Sequence, residues 1–211
     1  MILAKINSEH RYQAALFLGV MALGISIALY LYFVVDRYFL LYYWDSVSHL
    51  VAGRKLVDWG ENPGLGQIGT VWMPLPHLIL LPFSLIDSLF TTGFAGLVVS
   101  LPCTALTSVL LYRIVKVQVG YKMPIVPTYI AMVAGLLFAT NPNILYLGLT
   151  SMTEAPFMLF FVSSAYYLQK WYQSGGNKLR YLLICSLFVI LASSCRYEGW
   201  LLPLFVIGIS I

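Results

Sequence analysis

The chain has 211 residues, 60% of them hydrophobic and only 9% charged, with a mean hydropathy of +0.85. An ordinary soluble domain carries about a quarter of its residues as charges, so that class is excluded. The formal net charge of +4 comes without a Lys/Arg patch interleaved with aromatics, which excludes a nucleic-acid partner; in a lipid-embedded chain such an excess reports orientation instead.

In chain order, apolar windows fall at residues 13–35, 73–90, 92–115, 124–140, 155–172, 179–195 and 199–211. The expected fold class is therefore all-α: a polytopic transmembrane helical protein whose long first extracytoplasmic loop carries a juxtamembrane helix. The first window exceeds the roughly 20 residues that a span needs. It lacks a small-residue cleavage site and ends in Asp36-Arg37-Tyr38, so it reads as a retained helix rather than a signal peptide. The second carries Pro74, Pro76, His77 and Pro82 and ends at Asp87 and Ser88. Proline removes a helical hydrogen bond and kinks the chain, so this window is either a short or re-entrant segment or a distorted span. The last window has no flanking charge, and residues 1–211 are read as the N-terminal part of a longer transmembrane domain.

Lys5 and Arg11 place the N-terminus in the cytoplasm under the positive-inside rule. If residues 73–90 return to the outer face, Arg113, Lys116, Lys122, Lys170, Lys178 and Arg180 fall inside, while Asp45, Glu154 and Arg196-Tyr197-Glu198 fall outside. A full span there inverts the later sides and spoils the charge pattern. Cys103, Cys185 and Cys195 lie in apolar stretches without C-x-x-C spacing, as small buried hydrophobes do.

Residues 42–60 read as an amphipathic surface helix, with Leu50, Leu56 and Val57 on one face and an Arg54–Asp58 pair on another. Asp45 and His49 are one turn apart. Asp45 suits either an N-cap or a catalytic acid, and His49 either an interfacial polar tip or a ligand. The glycine-rich stretch at 61–69 lacks the preceding strand and the Gly-Lys-Ser/Thr ending of a phosphate loop. Asn141-Pro142 ends a helix, and a connector then leads through Thr150 to Pro156 into the next span. Ser151 and Glu154 have capping-box spacing, so Glu154 is either a cap or a second site acid. Arg196-Tyr197-Glu198 is either a self-neutralising turn or an anion site, because guanidinium matches phosphate oxygens.

Taken in order, Trp44-Asp45, Val71-Trp72-Met73-Pro74-Leu75-Pro76-His77-Leu78, Asn141-Pro142, Thr153-Glu154-Ala155-Pro156-Phe157 and Arg196-Tyr197-Glu198-Gly199 form a recognisable series. The chain resembles integral-membrane glycosyltransferases of the GT-C class, nearest to the protein O-mannosyltransferase and lipid A aminoarabinose transferase type. The resemblance implies a sugar donor on a polyprenyl (dolichyl-type) phosphate and transfer on the extracytoplasmic face, to a hydroxyl of an acceptor protein or glycolipid. It maps the base or metal ligand of the first outer loop onto Asp45 and the Thr-Glu-x-Pro acid onto Glu154. The chain departs from the family pattern in having a single Asp after Trp44 and no Lys before Pro74.

On that resemblance Asp45 is the expected general base, and Glu154 positions the acceptor or shares a divalent cation, Mg²⁺ or Mn²⁺, with Asp45. Arg196 is expected to take the phosphate with Glu198 orienting it, and His49 and His77 are further substrate-binding candidates. The implied location is an integral membrane one, in the plasma membrane or, in a eukaryote, the endoplasmic reticulum. A transporter or flippase is the rival class; it calls for inverted repeats and mid-bilayer ionisable residues, whereas these acids stand at segment ends. A fragment that merely spans is the third reading.

Overall fold

The computed structural model describes residues 2–57, 62–68, 71–120 and 127–210, and within them the chain is helical with no strand. The first helix, α1 (Ile2–Tyr30), continues through a π-helical turn at Leu31–Val35 before the chain breaks at Asp36. Its apolar part, Glu9–Val35, and that of α5 (Phe94–Gly120), Phe94–Val119, are each long enough to cross a membrane. At 1.5 Å per residue each reaches about 40 Å, against ~30 Å of hydrocarbon. This is an integral membrane protein.

Three short helices lie between those spans: α2 (Trp44–Arg54), α3 (Pro74–Ser84) and α4 (Asp87–Thr92). Helix α3 covers only about 16 Å, so the window at 73–90 is two short helices rather than a span. Pro74 opens α3 at a position where its missing N–H has no intrahelical use. Helix α2 is shorter than the sequence suggests. Val57 lies beyond its end and is exposed, while Leu50 and Leu56 are buried. Asp58 and the ends of the 61–69 stretch, and with them the Arg54–Asp58 pair, lie outside the described residues; Arg54 pairs with Asp87, at 2.6 Å.

Helices α6 (Pro127–Ala139) and α7 (Pro142–Leu149) meet at a 63° bend. The stretch after Pro142, expected from sequence to be a connector, is helical as far as Leu149. The Asn141 side chain accepts from the N–H of Asn143 (3.0 Å) and of Ile144 (3.4 Å), so the pair that stops α6 also starts α7. The chain then runs through α8 (Glu154–Gln173), α9 (Leu179–Ser193), a 3₁₀ segment at Tyr197–Leu201 and α10 (Leu202–Ser210).

Helix α5 is the axis, with α1, α3, α6, α7 and α8 packed on it. In lipid, apolar burial gives helices little reason to associate; close approach of small residues does. Ala95, Ala105, Ala131, Ala139, Ala155 and Ala192 are accordingly fully buried. Along α5, Thr104, Thr107 and Ser108 each donate to the carbonyl four residues back, while Ser100 donates across to the Thr150 carbonyl at 2.6 Å. Gly96 lets the first turn of α5 touch backbone: a Cβ there would stand 2.3 Å from the Ser151 nitrogen. Leu137, Leu183, Ile190 and Leu204 point outward, as a lipid-facing surface requires. The cysteines are free; Cys185 and Cys195 are buried and Cys103 half-buried.

Candidate active site

The end of the bundle where α5 and α8 begin is built by polar contacts between segments far apart in sequence. Ser46, in the first turn of α2, and Ser151, just before α8, are both buried. The Ser151 hydroxyl donates to the Ser46 carbonyl (2.6 Å), and the Ser151 N–H donates to the Ser46 hydroxyl (3.2 Å). This clasp fixes the residues next to it, Asp45 on one side and Thr153-Glu154 on the other. A second set of ties brings the end of α9 to the start of α3. The Leu75 N–H donates to the Ser194 carbonyl (3.1 Å), and the Tyr197 hydroxyl donates to the Val71 carbonyl (3.0 Å).

These ties enclose a cavity of about 300 Å³ whose polar walls include Asp45, His49, Glu154, Arg196 and Glu198. Five of the six residues singled out from sequence thus share one cavity, and the sixth, His77, lies directly behind His49. Asp45 is exposed and has no hydrogen-bond or ion-pair partner among the described residues. The N-cap reading of it is corrected: Tyr43 occupies that position, and Asp45 lies within the first turn, where the helix dipole favours a carboxylate.

The capping-box reading of Ser151 and Glu154 is corrected too. Thr153 is the cap residue and makes no capping bond; Ser151 faces Ser46, and Glu154 faces Arg196. Arg196 Nη1 donates to Glu154 Oε1 (2.6 Å) and to Thr153 Oγ1 (3.0 Å). Its Nε and Nη2 donate to the two oxygens of Glu198, at 3.2 and 2.8 Å. A guanidinium has five N–H groups, so these four bonds leave one on Nη2 for any ligand. The Glu198 bonds, foremost, and the Glu154 charge hold Arg196 firmly protonated. In return the Arg196 bonds pull the Glu198 carboxyl below its ordinary range. Glu154 keeps one resource in reserve, since its Oε2 is buried without a hydrogen-bond partner.

His49 is no interfacial tip. It is 2% exposed, its Nδ1 is 2.9 Å from Nε2 of the equally buried His77, and the Trp72 ring packs against it at a tilt of 55°, 4.6 Å between centroids. Burial, then the neighbouring His77 and Arg196, push its pKa down to about 4. Burial lowers His77 as well, with the Met73 carbonyl working the other way. Both imidazoles are therefore neutral at pH 7, and they pin α2 to α3 behind Asp45. The serine clasp went unread in the sequence; two isolated serines 105 residues apart carry no local signal.

Among the described residues no three His, Cys, Asp or Glu side chains gather as a metal-holding group. Asp45 and Glu154 line one cavity and are the carboxylates that could hold a divalent cation there, Mg²⁺ being an ion that takes one or two carboxylates and leaves the rest of its shell to substrate phosphate and water.

An apolar groove of about 420 Å³ between α8 and α10, walled by Phe161, Leu168, Leu202 and Phe205, runs up to Glu198, which it shares with the polar cavity. A lipid-embedded helical bundle thus holds paired acids and a guanidinium at one end, beside an apolar groove, and its family match places it in the GT-C-like class of membrane glycosyltransferases. Residues 75–210 match the model of the dolichyl-phosphate-mannose-protein mannosyltransferase family, and the chain belongs to that family. The match includes His77, Glu154, Arg196 and Glu198; Asp45 and His49 precede it. No curated protein and no solved structure matches the chain.

Proposed function

We propose that the protein moves a mannose from a polyprenyl (dolichyl-type) phosphate to a hydroxyl of an acceptor protein or glycolipid, on the extracytoplasmic face. The observation that carries this reading is the shared cavity: an unpartnered carboxylate, an acid–guanidinium pair with one unused carboxylate oxygen, and an apolar groove leading away from them. An isoprenoid phosphate needs both surfaces at once, apolar for its chain and cationic for its head.

In the reaction the acceptor oxygen forms a bond to the anomeric carbon as the bond from that carbon to the phosphate oxygen breaks. Asp45 takes the hydroxyl proton, being the acid with no competing partner. Glu154 Oε2 accepts a hydrogen bond from the acceptor or the sugar, and its Oε1 keeps Arg196 aimed. Arg196 receives the departing phosphate. With a single N–H unused, it does so by releasing Glu198, the more exposed of its two acids at 58% against 24% for Glu154. A divalent cation, where the reaction uses one, would be held by Asp45 and Glu154 and would neutralise phosphate charge.

The test is transfer from radiolabelled polyprenyl-phosphate mannose in membranes holding the full-length protein. Asp45→Asn is expected to lower transfer at least about 100-fold, the low end of general-base effects, at unchanged expression. Comparable rates from the two forms remove Asp45 from the chemistry.

A further inference from the structure

At the opposite end of the bundle, α1, α5 and α8 line a larger, open cavity, about 580 Å³, that plays no part in the reaction described above. Its cations are Arg113, Lys116 and Lys170, and its one carboxylate is Glu9. Lys116 pairs with Glu9, whose other oxygen accepts from the Tyr112 hydroxyl at 3.1 Å. Arg113 spends its Nε on a neutral acceptor, Gln13 Oε1, at 2.9 Å. Lys170 has the Tyr166 ring for a partner, 5.6 Å from its nitrogen. Two positive charges on the cavity wall therefore have no carboxylate among the described residues. A cation that merely snorkels ends in water, but Arg113 and Lys170 are both half-buried, and Gln13 of α1 accepts from the Nε and Nη2 of Arg113 on α5.

We propose that this cavity binds the phosphate of an anionic membrane lipid. Depth in the bilayer selects the lipid over a soluble phosphate. Glu9 opens the first span and Val119 closes the second, so the cavity lies where both helices leave the hydrocarbon, at headgroup level. Tyr112, Tyr166 and Val117 supply an apolar side to the same cavity, against which the start of an acyl chain rests. The site would tie α1 and α8 to α5 from the end away from the reaction.

The intact protein, purified in detergent, is offered phosphatidylglycerol or phosphatidylcholine, and retained lipid is counted by native mass spectrometry. One phosphatidylglycerol per chain is expected to stay bound where phosphatidylcholine does not. Each cation near a lipid headgroup contributes roughly fivefold, so R113Q/K170Q together should weaken retention about 30-fold. E9Q frees Lys116 and should strengthen retention about fivefold, a gain that structural damage does not produce and one that decides the matter if the double variant fails to fold. Equal retention of both lipids, equal retention by R113Q/K170Q, or unchanged or weaker retention by E9Q overturns the site. Displacement by glycerol 3-phosphate as effective as that by the lipid overturns the lipid assignment in favour of a soluble phosphate.

Discussion

The buried His49–His77 pair should make the end of the bundle that carries Asp45 sensitive to acid, and the size of the effect follows from its burial. His49 has an ordinary pKa of 6.5 that falls to about 4 in the folded protein. Between those values the unfolded chain binds more protons than the folded one, so stability rises with pH: the contribution is complete above pH 6.5 and is lost as pH falls toward 4. A gap of about 2.5 pH units is worth about 3 kcal/mol. In a domain of this size 1 kcal/mol moves the midpoint by roughly 2–4 °C, so the loss is about 10 °C. His77 shifts in the same direction, so the two rings resist protonation together and the figure describes the first charge admitted to the pair. His49→Gln combined with His77→Gln keeps polar groups in contact and removes the titration of the pair. Thermal unfolding of both forms in detergent, followed by tryptophan fluorescence from pH 7.5 to 4.5, provides the comparison. Carboxylates titrate equally in the two, so the wild-type midpoint should drop about 10 °C further than that of the variant. Curves falling in parallel would show that burial does not keep His49 neutral.

Gly96→Ala forces a Cβ to within 2.6 Å of both the Ser151 nitrogen and its Cα; backbone cannot swing aside, so stability should fall by at least ~1–3 kcal/mol, with transfer falling too because Glu154 moves with Ser151. An unchanged melting midpoint would contradict the close approach. The two acids on Arg196 should separate by burial. Glu198→Gln costs under ~1 kcal/mol and lowers KM for the lipid donor by freeing the guanidinium, whereas Glu154→Gln costs more stability and removes transfer. Identical kinetics for the pair would end the idea that Glu198 yields its place to phosphate. Exposed Trp44 and Tyr172 lie at opposite ends, so a membrane-impermeant maleimide should label Trp44→Cys from outside intact cells and spare Tyr172→Cys, with the half-buried or buried native cysteines as a low background; the reverse pattern inverts the proposed orientation.

The sequence made the helical membrane class legible, because long apolar runs leave no other way to satisfy a backbone in lipid. It also brought forward the acids and Arg196, since charges are conspicuous where they are rare. What it hid was tertiary. Glu154 and Ser151 have the spacing of a cap, yet each turns to a distant partner, Arg196 and Ser46, and no local pattern distinguishes the two uses. His49 reads as a surface residue on an amphipathic helix until α3 brings His77 and Trp72 against it. Asn141-Pro142 carries both a stop and a start signal, and only the stop was read.

The distribution of charge between the two ends supports the proposed orientation more strongly than any one loop does. Among the described residues Arg11, Arg113, Lys116, Lys170, Lys178 and Arg180 belong by chain position to the end away from Asp45, together with a single acid, Glu9. The other end holds Arg37, Arg54, Lys55 and Arg196 against Asp36, Asp45, Asp87, Glu154 and Glu198. The first end is strongly cationic and the second is mildly anionic, and insertion favours cations on the cytoplasmic side. A surplus of acid at the reacting end is also what chemistry asks of it, because a general base and a partner for the guanidinium must both be carboxylates there. On the proposed orientation, one sorting of charge would serve two ends: it would anchor the cytoplasmic face to anionic lipid and leave the outer face with a base to spare.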